Sequence, residues 1–189
     1  MSRWLCIFLL SACTAAHALP PATAEDDLSR LLADKGLIDK LGQVSHSVKD
    51  RAVAVKDRAS ELVITAMGSL GVPYRRGGNS AETGFDCSGF VRAMYEQTVG
   101  LILPRRANEQ AAATQTIDKQ DLQPGDLVFF NTMRRAFSHV GIYVGDGKFI
   151  HSPKPGAQVR VEDMGVSYWA RRFDGARRVG AGQDQQAQN

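Results

Sequence analysis

The sequence predicts an α+β domain, with helices first and an antiparallel sheet after them, and three observations carry that prediction. Helical periodicity dominates the segment that ends at Gly68. From Leu127 onward, short β-rich runs alternate with glycine turns. Helices in one block and strands in the next is the α+β order, whereas a parallel sheet would need them interleaved. Composition agrees: 189 residues, 43% hydrophobic and 23% charged, describe a chain able to bury one core. The same values exclude a disordered chain. No apolar run reaches the roughly 18 residues that cross a bilayer, and three cysteines are too few for a disulfide scaffold.

The first 18 residues, MSRWLCIFLLSACTAAHA, have a cation at Arg3, an apolar stretch from Trp4 to Leu10 and small residues at the end. That is the form of a secretory signal. Two cleavage readings compete. Ala16-His17-Ala18 suits cleavage before Leu19, whereas Leu10-Ser11-Ala12-Cys13 resembles a bacterial lipobox that would lipidate Cys13 and attach the chain to a membrane. The second leaves an unusually short signal, so the first is favoured. Either way the chain is expected to be exported, and Cys87 is its single remaining thiol. Loss of Arg3 leaves 22 Lys+Arg against 20 Asp+Glu. This balance does not point to nucleic acid, although the arginines cluster in five adjacent pairs that could seat an anionic polymer.

Residues 19–59 are expected to form a spacer and an amphipathic helix. The pentad VKDRA at 48–52 recurs at 55–59, placing Val48, Ala52, Val55, Ala59 and Leu62 on one stripe. The helical pattern stops at Gly71-Val72-Pro73, and a glycine-rich loop follows to Phe85. A helix is predicted from Cys87 to about Val99, a shorter one through Glu109 to Ala113, and a turn at Pro124-Gly125-Asp126 before a strand at Leu127–Phe130. His139–Val144 and Lys148–His151 read as a hairpin, with further strand candidates at Val159–Val161 and Tyr168–Phe173. After Val179 the tail at 180–189 has no apolar residues large enough to pack and is expected to be disordered.

The chemistry concentrates at Cys87. Asp86 is a good N-cap and Phe85 a plausible hydrophobic staple, which puts Cys87 at the first helical position. There the free backbone N–H groups and the helix dipole should lower the thiol pKa and stabilise an oxyanion. Gly89 is expected to let the helix approach the sheet closely. A thiolate nucleophile needs a base and a partner for the base. His17 lies in the signal and His46 on the N-terminal helix, leaving His139 and His151. Their cooperation depends on hairpin register. A plain two-residue Asp146-Gly147 turn would set His151 against Ile142, facing away from His139. A three-residue Gly145-Asp146-Gly147 loop, with Gly147 left-handed and a bulge, sets His151 against Gly141 on the face of His139, and this register is the one predicted.

The segments VPYRRGG, FDCSGFV, LPRRANEQ, LQPGDLVFF and SHVGIYVGDGKFIHS resemble, in order and spacing, the NlpC family of bacterial cell-wall cysteine peptidases, from about Ser60 to Val179. The resemblance implies a reduced papain-like fold over residues 60–179, its N-terminal helices packed on a central antiparallel sheet and its nucleophile at a helix N-terminus. It implies Cys87 as nucleophile, His139 as base, His151 as the third polar residue and Tyr74 beside the oxyanion. Asp86 and Ser88 would line the substrate cleft, and Arg105 takes a structural or substrate role. Arg106-Ala107 depart from the small hydroxyl residues usual there. The implied reaction is hydrolysis of an amide in peptidoglycan stem peptides or crosslinks through a thioester, by a monomer in the bacterial periplasm, without metal or cofactor. A zinc site from Cys87, His139 and His151 would lack a fourth ligand. The competing readings are a catalytically silent wall-binding or scaffolding module and an acyltransferase on the same fold.

Overall fold

The computed structural model describes residues 37–180, and of these the side chains at 37–39, 41–42, 51–52 and 54–55 are left aside. The signal at 1–18, Cys13, most of the spacer and the tail beyond Gly180 lie outside the described residues. The chain divides into two units, at residues 1–49 and 50–189. In the first, the described residues are helical from Leu37. Val44 and Val48 there are both exposed.

Helix α1 spans Leu37–Gly68 and ends where the helical pattern was expected to stop, ahead of Gly71-Val72-Pro73. Of the predicted stripe, the side chains of Val48, Ala59 and Leu62 are described. Val48 is 60% exposed, Ala59 is half-buried, and Leu62 and Ala66 are buried in the core of the second unit. A short hairpin of β1 (Asn79–Ser80) and β2 (Gly84–Phe85) then delivers the chain to α2 (Cys87–Val99). Asp86, in extended backbone, caps α2 by accepting the Gly89 N–H at 2.8 Å, and Gly100 ends it in the left-handed conformation. Asp86 was expected as the N-cap, and the left-handed Gly100 agrees with the expected end at about Val99. Helix α3 (Ala107–Ala112) follows, then β3 (Gln115–Ile117) and a single 3₁₀ turn at Lys119–Asp121.

The remaining elements are β4 (Leu127–Phe130), β5 (His139–Gly145), β6 (Lys148–His151), β7 (Arg160–Asp163), α4 (Ser167–Ala170) and β8 (Phe173–Arg178). The expected strand at Tyr168–Phe173 is therefore a helical turn leading into β8. Val166 N-terminal to it receives the Trp169 and Ala170 N–H groups, closing the turn locally before any strand partner is reached. The six strands form one sheet in the order β3-β8-β4-β5-β6-β7, every pair antiparallel.

Strand alternation sorts two apolar layers. Leu127, Phe129, Val140, Ile142 and Ile150 face a cluster with Phe90, Val91 and Met94 of α2. Val128, Phe130 and Phe149 face the opposite cluster with Met164 and Trp169. At about 25 cal/mol per Å² of apolar surface removed from water, these two layers supply the main driving force for the fold.

The β5–β6 hairpin combines features of the two registers weighed above. Gly145 pairs with Lys148, so the turn is the two residues Asp146 and Gly147, both left-handed (φ 50° and 71°). The extra residue is Val144, not Gly147: the register shifts between Tyr143 and Gly145. Asp-Gly suits this turn because both central positions need positive φ, and the bulge beside it restores the pairing of Ile142 with Ile150. That pairing sets His151 beside Gly141, on the face carrying His139.

Candidate active site

Cys87 opens α2 and is half-buried. His139 opens β5 and His151 closes β6. Their rings meet: His139 Nε2 and His151 Nδ1 are 2.6 Å apart, with the ring planes nearly perpendicular. His139 and Cys87 line the same cleft, of about 680 Å³, together with Tyr74 and Trp169. The structure thus brings together Cys87, His139, His151 and Tyr74.

Two residues that the sequence did not point to complete the arrangement. Glu162 on β7 lies diagonally across from His151, whose direct neighbour on that strand is Arg160. His151 Nε2 is 3.4 Å from Glu162 Oε2, and His151 has no exposed surface. Arg160 and the indole N–H of Trp169 both donate to the Glu162 carboxylate and fix its position. Trp169 also lies against His139, its ring stacked at 5.6 Å between centroids and 25° between planes.

Electrostatics orders the protons along this chain. Contacts from His151 and Arg160 hold Glu162 down to about 2, against its partial burial, so it is an anion. An anion 3.4 Å from His151 Nε2 favours the tautomer with its proton on that nitrogen. His151 Nδ1 then accepts from His139 Nε2–H, and His139 Nδ1 carries the lone pair a thiol proton needs.

Burial and the neighbouring His151 push His139 down to about 3, and burial lowers His151 too, so both rings are neutral near pH 7. The thiol departs from expectation. Burial first, then the Asp86 carboxylate, push Cys87 up to about 11, outweighing backbone N–H groups of Val140 and Ser88 and the Arg105 charge. The helix start does favour the thiolate, but the dry site and the capping acid beside it dominate. The resting pair is thiol and imidazole, not thiolate and imidazolium.

Asp86, Ser88 and Arg105 form a brace. Asp86 accepts the Gly77 and Gly89 N–H groups, and Arg105 grips both its oxygens at 2.9 and 2.5 Å. Arg105 also donates to Ser88 Oγ at 3.1 Å, and buried Gln110 of α3 donates to the Ser88 and Pro104 carbonyls. Arg105 thereby holds the start of α2, and it also lines the cleft over that helix start. Gly89 makes a close approach, but to the loop ahead of α2: a Cβ there would lie 2.1 Å from the Gly78 carbonyl oxygen. Tyr74 is half-buried on the same loop, its phenol raised by burial and by Cys87 and Asp86. Among the described residues no group of three His, Cys, Asp or Glu side chains is arranged to hold a metal ion.

The NlpC/P60 family matches residues 71–178. The chain is 42% identical over 152 residues to murein DD-endopeptidase MepH of Escherichia coli K12, covering 73% of this chain and 56% of that protein. It is 35% identical over 176 residues to murein DD-endopeptidase MepS/murein LD-carboxypeptidase of the same organism, covering 90% and 86%. Among solved structures, an NlpC/P60 family protein from Bacillus cereus superposes with a TM-score of 0.59 at 38% identity, covering 64% of this chain and 39% of that one.

Proposed function

Because this chain belongs to the NlpC/P60 family, we propose that residues 60–179 form its papain-like peptidase domain and hydrolyse an amide in peptidoglycan stem peptides or crosslinks. The relatives named murein endopeptidases support the substrate class. The observation that carries the reaction type is the buried His139–His151 pair, bonded at 2.6 Å, in the cleft with a thiol at a helix start.

Cys87 is the nucleophile and His139 the base. With the thiol raised and the imidazole lowered, the proton leaves Sγ as sulfur attacks the carbonyl carbon, and passes to His139 Nδ1. The S–C bond forms and the carbonyl π electrons move to oxygen. Backbone N–H groups at the start of α2 and the Tyr74 hydroxyl stabilise that oxyanion. As the tetrahedral species collapses, the C–N bond breaks and His139 returns the proton to the leaving amine, leaving a thioester. Water, deprotonated by His139, attacks the thioester, and the thiol is restored with release of the carboxylate product. His151 holds the imidazole in its reactive tautomer, and Asp86, Ser88 and Arg105 keep the helix start in place.

Cys87→Ala is expected to abolish cleavage of purified peptidoglycan, and cleavage at the parent rate would overturn the reading. A parent chain that bound stem peptides without cutting them would instead favour the silent wall-binding module. The signal-like residues 1–18 support export to the cell envelope, and mass analysis of the mature N-terminus distinguishes cleavage after Ala18 from a lipid on Cys13.

A further inference from the structure

Cys87 stands where two clefts meet. The one already described runs past His139 and Trp169; a second, of about 740 Å³, opens over the start of α2 toward the loop at 131–138. Cys87 and Ser138 line both. A chain laid across the thiol therefore has one arm in each.

The two arms differ in charge. In the first, Arg160 is paired with Glu162, and Lys154 is matched by Asp163. The second is lined by Arg76, Arg105, Arg106 and Arg135 against a single acid, Asp86. Asp86 is already gripped through both oxygens by Arg105. The nearest acid to Arg106 is Glu109 at 3.9 Å, and the Arg106 side chain is 77% exposed. Arg76 and Arg135 are exposed and form no ion pair among the described residues. Arg76 and Arg135 thus remain without an ion pair, and Arg106 with only the long, exposed one to Glu109, on the walls of one concave surface beside the nucleophile, where low-dielectric walls concentrate their field.

The loop that carries Arg135 is anchored at its far end. The Phe137 N–H donates to Asp174 at 2.6 Å and its ring packs edge-on against Phe129. Ser138 Oγ accepts the Thr132 and Met133 N–H groups. The other two cations flank the braced start of α2, Arg76 ahead of Asp86 and Arg106 next to Arg105.

We propose that this arm is a carboxylate-binding subsite, which takes the acidic part of the stem peptide and sets which stems are substrates. The inference rests on the peptidase reading and deepens it. A glutamate linked through its γ-carboxyl leaves its α-carboxylate free, and diaminopimelate carries a carboxylate outside the peptide chain. Guanidinium forks match such groups with two parallel hydrogen bonds. Asp86, with both oxygens occupied, offers nothing to a free peptide amine, so the arm selects anions.

The test is calorimetric binding to the full chain carrying Cys87→Ala, so that no turnover intervenes. The probes are two synthetic stem peptides, identical except that one has free carboxylates and the other carboxamides. The acidic peptide is expected to bind at least tenfold more tightly at low salt, with the preference shrinking as salt rises. The triple variant Arg76→Gln, Arg106→Gln, Arg135→Gln should bind the two peptides alike, and the triple Lys variant should restore most of the preference. Equal affinities in the starting protein, no measurable binding of the acidic peptide, or a preference untouched in the Gln variant would overturn the proposal. Cleavage of peptidoglycan by the chain with Cys87 intact is scored separately. Binding of the acidic peptide without cleavage would defeat the hydrolase reading and leave the subsite standing; cleavage without carboxylate preference would do the reverse.

Discussion

Glu162 touches neither the thiol nor the base, yet it determines where the protons sit on both histidines. Its carboxylate faces His151 Nε2 at 3.4 Å and is fixed by Arg160 and Trp169. It acts through His151 as a positioning residue, so Glu162→Ala should lower kcat by roughly 10- to 100-fold, the worth of a charge-assisted contact of about 1.5–3 kcal/mol. Glu162→Gln keeps an acceptor oxygen and should recover part of that loss. Steady-state kinetics with a soluble stem peptide checks this: a loss confined to KM, or a Gln variant as poor as Ala, would count against the proton-ordering role. That Cys87, His139 and His151 come together could be expected from the sequence, because their local elements place them, and the structure brings them together at one cleft. The same could not be expected of Glu162 and Trp169. Glu162 reaches His151 only through the diagonal neighbour relation of β6 and β7, and Trp169 sits on a helical turn in a segment whose bulky residues read as strand.

At the level of elements, the start of α2 depends on contact with the loop before it. A Cβ on Gly89 would meet the Gly78 carbonyl oxygen at 2.1 Å, a backbone atom that cannot move without disturbing the 3.1 Å bond it accepts from the Asp86 N–H. Gly89→Ala should therefore destabilise the domain by about 1–3 kcal/mol, the usual cost of overpacking, and lower the melting temperature by several degrees. An unchanged melt would show that the loop yields. The start of α2 could be read from Asp86, since an N-cap is encoded by a single residue, and its end at about Val99 followed from the pattern. The hairpin was legible in outcome but not in construction, because a bulge at Val144 and a bulge at Gly147 set the same register and only the backbone distinguishes them. The packed part of α1 was harder to assign: among the described side chains of the stripe drawn from the VKDRA repeat, Val48 is exposed, Ala59 half-buried and Leu62 buried.

For the whole molecule, pH acts through the buried site. His139 is held at about 3 when folded, below its ordinary 6.5, so between those values the unfolded chain binds the proton and the folded chain does not. Glu162, lowered to about 2 from 4.5, works in the same direction at lower pH. Their contribution to stability should be fully present at pH 7 and fall progressively as pH drops below 6.5. Thermal melts at pH 7 and pH 4.5 in matched ionic strength test the sign; an equal or higher melting temperature at pH 4.5 would contradict it.

β8 is the last strand in the chain, yet it lies inside the sheet between β3 and β4, and Arg178 at its end clamps Asp126 through both oxygens. A growing polypeptide that has not yet delivered residues 173–178 leaves β3 without a neighbour and β4 with one open edge. The hairpin that carries His139 and His151 is built on that same β4. Assembly therefore has a built-in order: the sheet that seats His139 and His151 is complete only when the final strand of the chain has been made and has paired with β4 and β3. A chain stopped after residue 172 should accordingly show no cooperative thermal transition, whereas a sharp one would mean the site can form without its last strand.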